Sequence, residues 1–300
     1  MNRILVTGAN GFVGSTLKKL LLENKWEILT TDLIGDVDFC GDLKDMNFVD
    51  SLPEIDCIIN CAAVQYLTPN IPFFKRRKYF YENNVLSVKN LNRKYGNSIK
   101  FFIQFGSSMM YKKNFDGQYN AVNEFASNGV YSESKYQAYE ESKKFKCPFA
   151  FIIPSIIAGS GRKGFFSFIE TMINRFGIVI MPGACSHATG VIHVDDVCNL
   201  VLKILTAQAE GIFNADSGER ASISEWVDLI SKKLNKKVLK IEIPLILFKC
   251  IGFLSSYRFI AKEQIMILEY PQYLNLSESQ KIDWQPTKSI EKILADTLVV

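Results

Sequence analysis

Histidine is nearly missing from this chain. Its 300 residues hold two, His187 and His193, and no two cysteines stand as a CxxC pair. The common His/Cys zinc sites are thereby excluded, and no metal is expected. The seven cysteines (Cys40, Cys57, Cys61, Cys147, Cys185, Cys198, Cys250) are odd in number and scattered. They fit buried thiols of a reducing compartment rather than a disulfide frame. An excess of one charge is lacking too: 35 basic against 31 acidic residues leave +4. That balance points to no nucleic-acid partner. No apolar run of about 18 residues is free of Pro, Gly or charge, so no transmembrane helix is expected. A strand pattern that begins at residue 3 leaves no room for a cleaved signal peptide. The expected location is cytoplasmic. Internal repeats and low-complexity linkers are absent as well. With 48% apolar and 22% charged residues, the chain is composed as an ordinary globular protein.

What is present is an alternation of strands and helices. Apolar runs at 3–7 (RILVT), 26–32 (WEILTTD), 56–61 (DCIINC), 100–105 (KFFIQF) and 148–154 (PFAFIIP) read as strands. Helical spacing fills 12–24, 85–95 and 131–144. Short continuous apolar runs between helices indicate an α/β fold with a parallel sheet buried on both faces. Right-handed crossovers make it doubly wound, Rossmann-like. The expected division is a cofactor domain over 1–154, with strands around 191–215 returning to it. A smaller substrate lobe over 155–300 interleaves with it. The apolar stretch 243–254 (IPLILFKCIGFL) reads as a helix of that lobe closing over substrate, or else as a patch for membrane or subunit contact.

The first strand runs into Thr7-Gly8-Ala9-Asn10-Gly11-Phe12-Val13-Gly14. Gly8 permits a tight turn, Gly11 lets backbone approach a pyrophosphate, and Gly14 lets the helix pack on the sheet. The helix N-terminus offers free N–H groups to the phosphates. Asp32 ends the second strand 18 residues past Gly14, placed to accept the ribose hydroxyls of an adenosine. Asp36 and Asp38 follow, and no Arg or Lys lies between 26 and 43. A 2′-phosphate would meet carboxylates there, so NAD is favoured over NADP. Asp42 and Leu43 are placed for the adenine edge.

Tyr131-Ser-Glu-Ser-Lys135 puts a phenol and an ammonium on one helix face. The cation favours the phenolate, which suits acid/base work near neutral pH. Ser107-Ser108 ends a strand 24 residues before Tyr131. A hydroxyl there would hold a substrate oxygen in line with the phenol.

With these residues in place, the chain resembles an extended short-chain dehydrogenase/reductase of the NAD-dependent epimerase/dehydratase family. TGANGFVG (7–14), Asp32, GDL (41–43), NCAAV (60–64), NNV (83–85), GSSMMY (106–111) and YSESK (131–135) stand at family spacing. IPSIIAGSG (153–161), IHVDDV (192–197), FNADSGERASISEWVDLI (213–230) and DWQPTKSIEKIL (283–294) continue it. The resemblance implies Tyr131 as general acid/base, Lys135 as its partner and ribose ligand, and Ser107 as the substrate's hydrogen-bonding hydroxyl, with Ser108 as fallback. It implies a cofactor path along Gly8, Asn10, Gly11, Phe12, Val13, Gly14, Asp32, Asp42, Leu43, Ala62, Ala63, Asn84 and Pro154. A homodimer through helices of the cofactor domain is implied as well.

Departures bear on substrate. Family dehydratases follow the catalytic hydroxyl with Asp-Glu. Here Ser108 and Met109 follow, which speaks against 4,6-dehydration. Thr189 stands where many sugar-nucleotide enzymes carry a diphosphate arginine, Ile153 and Ala158 replace an Arg and a Tyr, and Asn60 replaces a His. Replacement cations are Arg162-Lys163, or the run 75–78 (KRRK), whose other reading is a solvated helix face. The function implied is an NAD-dependent epimerase or reductase/dehydrogenase for a secondary alcohol, foremost of a nucleotide-linked sugar. A hydroxysteroid- or dihydroflavonol-type dehydrogenase and a catalytically silent NAD-binding scaffold remain as alternatives.

Overall fold

The computed structural model describes residues 3–298 except Pro69, Phe115, Val122, Asn123, Lys163 and Phe259. Its centre is a seven-stranded sheet. The order is Gly211–Ala215, Phe149–Pro154, Phe101–Phe105, Cys57–Asn60, Ile4–Thr7, Ile28–Asp32 and Phe39–Cys40. Every pairing in it is parallel. Ile4, Leu5, Ile58, Ile59, Phe102 and Ile103 are fully buried, because helices cover both faces. The doubly wound architecture expected from the alternation is therefore present. Chain direction across the sheet reverses between Ile4–Thr7 and Cys57–Asn60, and a crevice opens above such a switch point.

Three polar side chains cross the sheet at its carboxyl end. Thr7 Oγ1 donates to Asn60 Oδ1 at 2.5 Å, and Asn60 Nδ2 donates to Gln104 Oε1 at 2.7 Å. Gln104 Nε2 then reaches the Phe105 carbonyl at 3.1 Å. Asn60 is thus a buried link between strands, with each of its polar atoms satisfied.

The expected helices appear with small shifts. The glycine-loop helix is Phe12–Glu23 and the tyrosine helix is Val130–Ser142. The 85–95 pattern splits into a π-helical turn, Glu82–Leu86, and the α-helix Ser87–Tyr95. Asn84 lies in the widened turn. Its buried amide donates to Val64 O and Ser134 Oγ and accepts from Val64 N. That bonding ties the crevice loop to the tyrosine helix and accounts for the irregular turn.

After Pro154 smaller sheets follow. One joins Ile156–Ala158, Ala188–His193 and Arg220–Ser222; another pairs Ile178–Pro182 with Leu239–Ile243; a third pairs Gln118–Tyr119 with Tyr273–Leu274. A second core gathers around Phe166, Ile169, Trp226, Ile230 and Ile293. The apolar stretch forms the helix Leu245–Leu254, and it is left largely uncovered. Only Gly252 of it is buried, and Ile246, Leu247, Phe253 and Leu254 are exposed. Among the described residues, no helix is long and apolar enough to cross a membrane.

Candidate active site

Gly8 turns the chain out of the first strand with φ +62, and a Cβ there would lie 2.7 Å from Ala62 backbone. At Gly14 a Cβ would stand 2.0 Å from the Gly8 carbonyl oxygen. No side chain fits either place, so the helix start is held tight against the switch-point crevice. Gly11 N donates to Gly8 O at 3.0 Å, closing the loop. Asp32 braces it: Oδ2 accepts from Asn10 N at 2.8 Å and Oδ1 from Leu33 N at 2.7 Å. Two of roughly four acceptor positions are used, so capacity for ribose hydroxyls remains. Ala62 and Ala63 continue along the same crevice wall, and Pro154 ends the neighbouring sheet strand paired with Ala215. Val13 packs against the central core and Phe12 lies under the Arg162 guanidinium, 4.9 Å from its ring centre. This cradle fits a dinucleotide.

Two details differ from the linear reading. Asp38 is not free to meet a ribose phosphate: its Oδ2 accepts from Thr30 N and Thr30 Oγ1 at 2.8 and 2.7 Å. The Thr30 hydroxyl chiefly holds its carboxyl below the usual range. Lys18 also reaches this loop from the glycine-loop helix, with Nζ 3.5 Å from Asp36 O. A survey of 26–43 alone could not see that cation. Asp42 is bound to Lys44, by the backbone N–H at 2.9 Å and by Nζ at 3.3 Å. Leu43 is buried in the lower core, and its carbonyl accepts from Asn90.

Asp32 supplies a direct check. Asp32→Ala is expected to weaken NAD binding about 10- to 100-fold by calorimetry, the worth of one or two hydrogen bonds to a charged acceptor. Unchanged affinity would remove the carboxylate from the cofactor site.

At the other end of the crevice, Tyr131 and Lys135 are both buried on one face of the tyrosine helix. The Tyr131 ring lies 5.7 Å from Tyr66 and 5.8 Å from Phe80. Burial pushes its phenol up to about 12, against a side-chain hydrogen bond with Ser107 and the charge of Arg162. Arg162, to which the helical spacing did not point, is a cation that favours the phenolate here. Lys135 Nζ donates to Phe105 O at 3.1 Å, and burial lowers its ammonium to about 8.

Ser107 caps the short turn Ser108–Met110 by accepting from Met109 N at 3.3 Å. Ser108 faces the small lobe: its Oγ donates to Gln272 Oε1 at 3.3 Å, and its carbonyl accepts from Gln272 Nε2 at 3.1 Å. Ser107 is thus the hydroxyl at the phenol. Met109 stands beside it and lines a small cavity with Glu263, Met266 and Gln272.

Arg162 is drawn into the site. Its Nη2 donates to Gln65 Oε1 at 3.1 Å while its plane lies over Phe12. Lys163 lies outside the described residues. The KRRK run is a helix face: Arg77 pairs with Glu133 at 3.1 Å, Lys78 with Glu82 at 3.5 Å, and Arg76 bonds Pro72 O and Tyr257 O. Thr189 is buried.

One residue of this site was not visible in the sequence. Glu263 begins the helix Lys262–Glu269 and is buried against the tyrosine helix. Its Oε1 accepts from Tyr131 N and Ser132 N, both at 3.1 Å, and from Ser132 Oγ at 3.3 Å. Its Oε2 accepts from Tyr66 OH at 3.0 Å. A carboxylate at a helix N-terminus meets free N–H groups and the positive end of the helix dipole. Gly129 leaves it room, since a Cβ there would lie 1.9 Å from Oε2. The pair is 132 residues apart, and Glu263 lies in no motif read from the sequence.

A glycine-cradled crevice over a parallel sheet, with Ser107 and the buried Tyr131 and Lys135 at its far end, defines a dinucleotide-binding α/β protein. The family model "NAD dependent epimerase/dehydratase family" matches residues 4–215, and the chain belongs to that family. NAD is accordingly its cofactor. Three solved structures share the fold. MoeE5 with UDP-glucuronic acid and NAD is 18% identical over 98% of this chain and 97% of that one, with TM-score 0.81. The Thermus thermophilus UDP-glucose 4-epimerase with NAD is 16% identical, over 98% and 97%, with TM-score 0.79. The Bacillus anthracis dTDP-glucose 4,6-dehydratase with NAD is 18% identical, over 99% and 95%, with TM-score 0.75. No curated protein sequence matches the chain.

Proposed function

We propose that this protein moves hydride between NAD and a secondary alcohol or ketone of a nucleotide-linked sugar, as an epimerase or a reductase. The observation that carries the proposal is the buried pair Tyr131 and Lys135 on one helix face, with the Ser107 hydroxyl acting on the phenol, opposite the glycine cradle. Ser107 would hold the substrate oxygen, and Tyr131 would take or return its proton. Lys135, on the same helix face, would hold the nicotinamide ribose. Arg162, between Phe12 and Tyr131, is the cation placed to meet a substrate phosphate. Gly8, Gly11, Gly14 and Asp32 would hold the adenosine diphosphate. When bound, the cofactor supplies the hydride acceptor; the residues position and polarise.

Dehydration is not part of the proposal. Ser108 is spent on Gln272, Met109 carries no acid, and the Glu263 carboxylate beside the phenol is spent on backbone N–H groups. We further propose that the chain works as a homodimer in the cytoplasm, and that the sheet unit over 1–154 carries the cofactor.

The test is a panel of UDP- and dTDP-sugars with NAD or NADH, read by chromatography that separates epimers and by mass spectrometry for reduced products. Interconverted epimers with no net cofactor change mark an epimerase. Reduced sugar with consumed NADH marks a reductase. Turnover of a steroid- or flavonoid-like alcohol, with every nucleotide sugar ignored, would overturn the substrate assignment.

A further inference from the structure

The helix Leu245–Leu254 carries apolar side chains that no other described part of the chain covers. Phe253 is 73% exposed and Leu254 82%. Beside them lies a groove of about 420 Å³, whose apolar walls include Cys250, Phe253, Leu254, Ile265 and Met266. The patch extends to a second segment. Arg258 lies over both Phe73 and Phe74, 4.9 and 4.4 Å from their ring centres, and Phe74 is 63% exposed. Arg76 Nη1 joins the same segment to the Tyr257 carbonyl at 3.3 Å. Arg76 and Arg258 thus tie two separate stretches with exposed apolar side chains together.

The rim of that patch is cationic. Lys113, Lys249 and Lys262 line the groove, Arg258 bridges it to Phe73 and Phe74, and exposed Lys75 follows Phe74. The acids in reach are committed. Glu269 pairs with Lys249, Glu263 points inward to Tyr131 N, and Glu133 and Glu82 pair with Arg77 and Lys78. Exposed Phe and Leu ringed by Lys and Arg match the interface of an anionic bilayer: the rings enter the headgroup layer and the cations stay with the lipid phosphates. A second copy of the chain fits less well. A two-fold contact would set each basic rim against itself.

We propose that this face docks the protein on an anionic lipid surface, with Phe73, Phe74, Phe253 and Leu254 inserted and Lys113, Arg258 and Lys262 on the headgroups. Charge excess, which is small for the whole chain, is here concentrated on one apolar face.

The test is sedimentation of the intact protein with vesicles of phosphatidylcholine alone and of phosphatidylcholine with phosphatidylglycerol. Binding is expected to the anionic vesicles and to be lost in high salt. The double variant Phe253→Ser, Leu254→Ser should lower the vesicle partition at least about tenfold. Lys113→Gln and Lys262→Gln should each lower it about fivefold. All four residues lie outside the proposed catalytic group, so circular dichroism and NAD binding should match wild type. Equal binding to both vesicle types, or binding to neither, overturns the proposal. So does a concentration-dependent dimer that the double variant dissociates in the absence of vesicle binding.

Discussion

Tyr131→Phe is expected to lower kcat about 10²- to 10⁴-fold, the range for losing a positioned acid/base, while NAD binds within about twofold of wild type. The ring sits between Tyr66 and Phe80, and phenylalanine keeps that packing. Only the hydroxyl is removed. A stability loss therefore cannot account for the fall, and the melting temperature should confirm it. The pH profile gives a second check. Burial holds the phenol up near 12 in the structure described here, with Arg162 pulling it down. In alcohol oxidation Tyr131 must accept a proton, so the rate should rise with pH as the phenolate fraction grows. Removing the Arg162 charge by Arg162→Gln should move that rise to higher pH. An enzyme that keeps full activity as Tyr131→Phe uses another base, and the proposed role of the phenol falls.

Much of this arrangement is local in the chain and could be read there. Gly8, Gly11 and Gly14 define a turn and a close approach within eight residues, and the Tyr131–Lys135 spacing is a single helical turn. The central strands were legible because burial on both faces demands unbroken apolar runs. What escaped depends on tertiary contact between distant segments. Lys18 enters the ribose loop from a helix that precedes it, so a count of charges along 26–43 missed it. The aspartates looked alike in sequence, yet Asp32 braces Asn10 while Asp38 folds back on Thr30. Arg162, from a loop 31 residues beyond Tyr131, favours the phenolate, and the spacing along the helix gave no sign of it. Asn60, conspicuous as a departure from the family's histidine, is the middle of a three-strand polar link. Helical periodicity located 243–254, but it cannot say which element, if any, covers its apolar side.

Glu263 is where the fold and the proposed chemistry meet, and two substitutions should separate its roles. Glu263→Ala leaves Tyr131 N, Ser132 N and the Tyr66 hydroxyl without their buried acceptor. Stranding such donors costs about 1–3 kcal/mol each before relaxation, so a net loss of about 3 kcal/mol and a clearly lower melting temperature are expected. Hydrogen exchange at the start of Val130–Ser142 should quicken with it. Glu263→Gln is the informative partner. Its carbonyl oxygen can still accept from the helix N-terminus, so most of the stability should return. The negative charge is gone, however, and that charge opposes the phenolate of Tyr131. Removing it lowers the phenol's pKa, so the rise in oxidation rate should begin at lower pH than in wild type. A carboxylate that only caps the helix predicts a stability loss in Glu263→Ala and an unmoved pH profile in Glu263→Gln. A shifted profile with near-native stability in Glu263→Gln shows that the small lobe sets the ionisation of the tyrosine as well as its position. The phenol's titration can be followed in the free protein by ultraviolet difference spectra, so this result stands whichever alcohol proves to be the substrate.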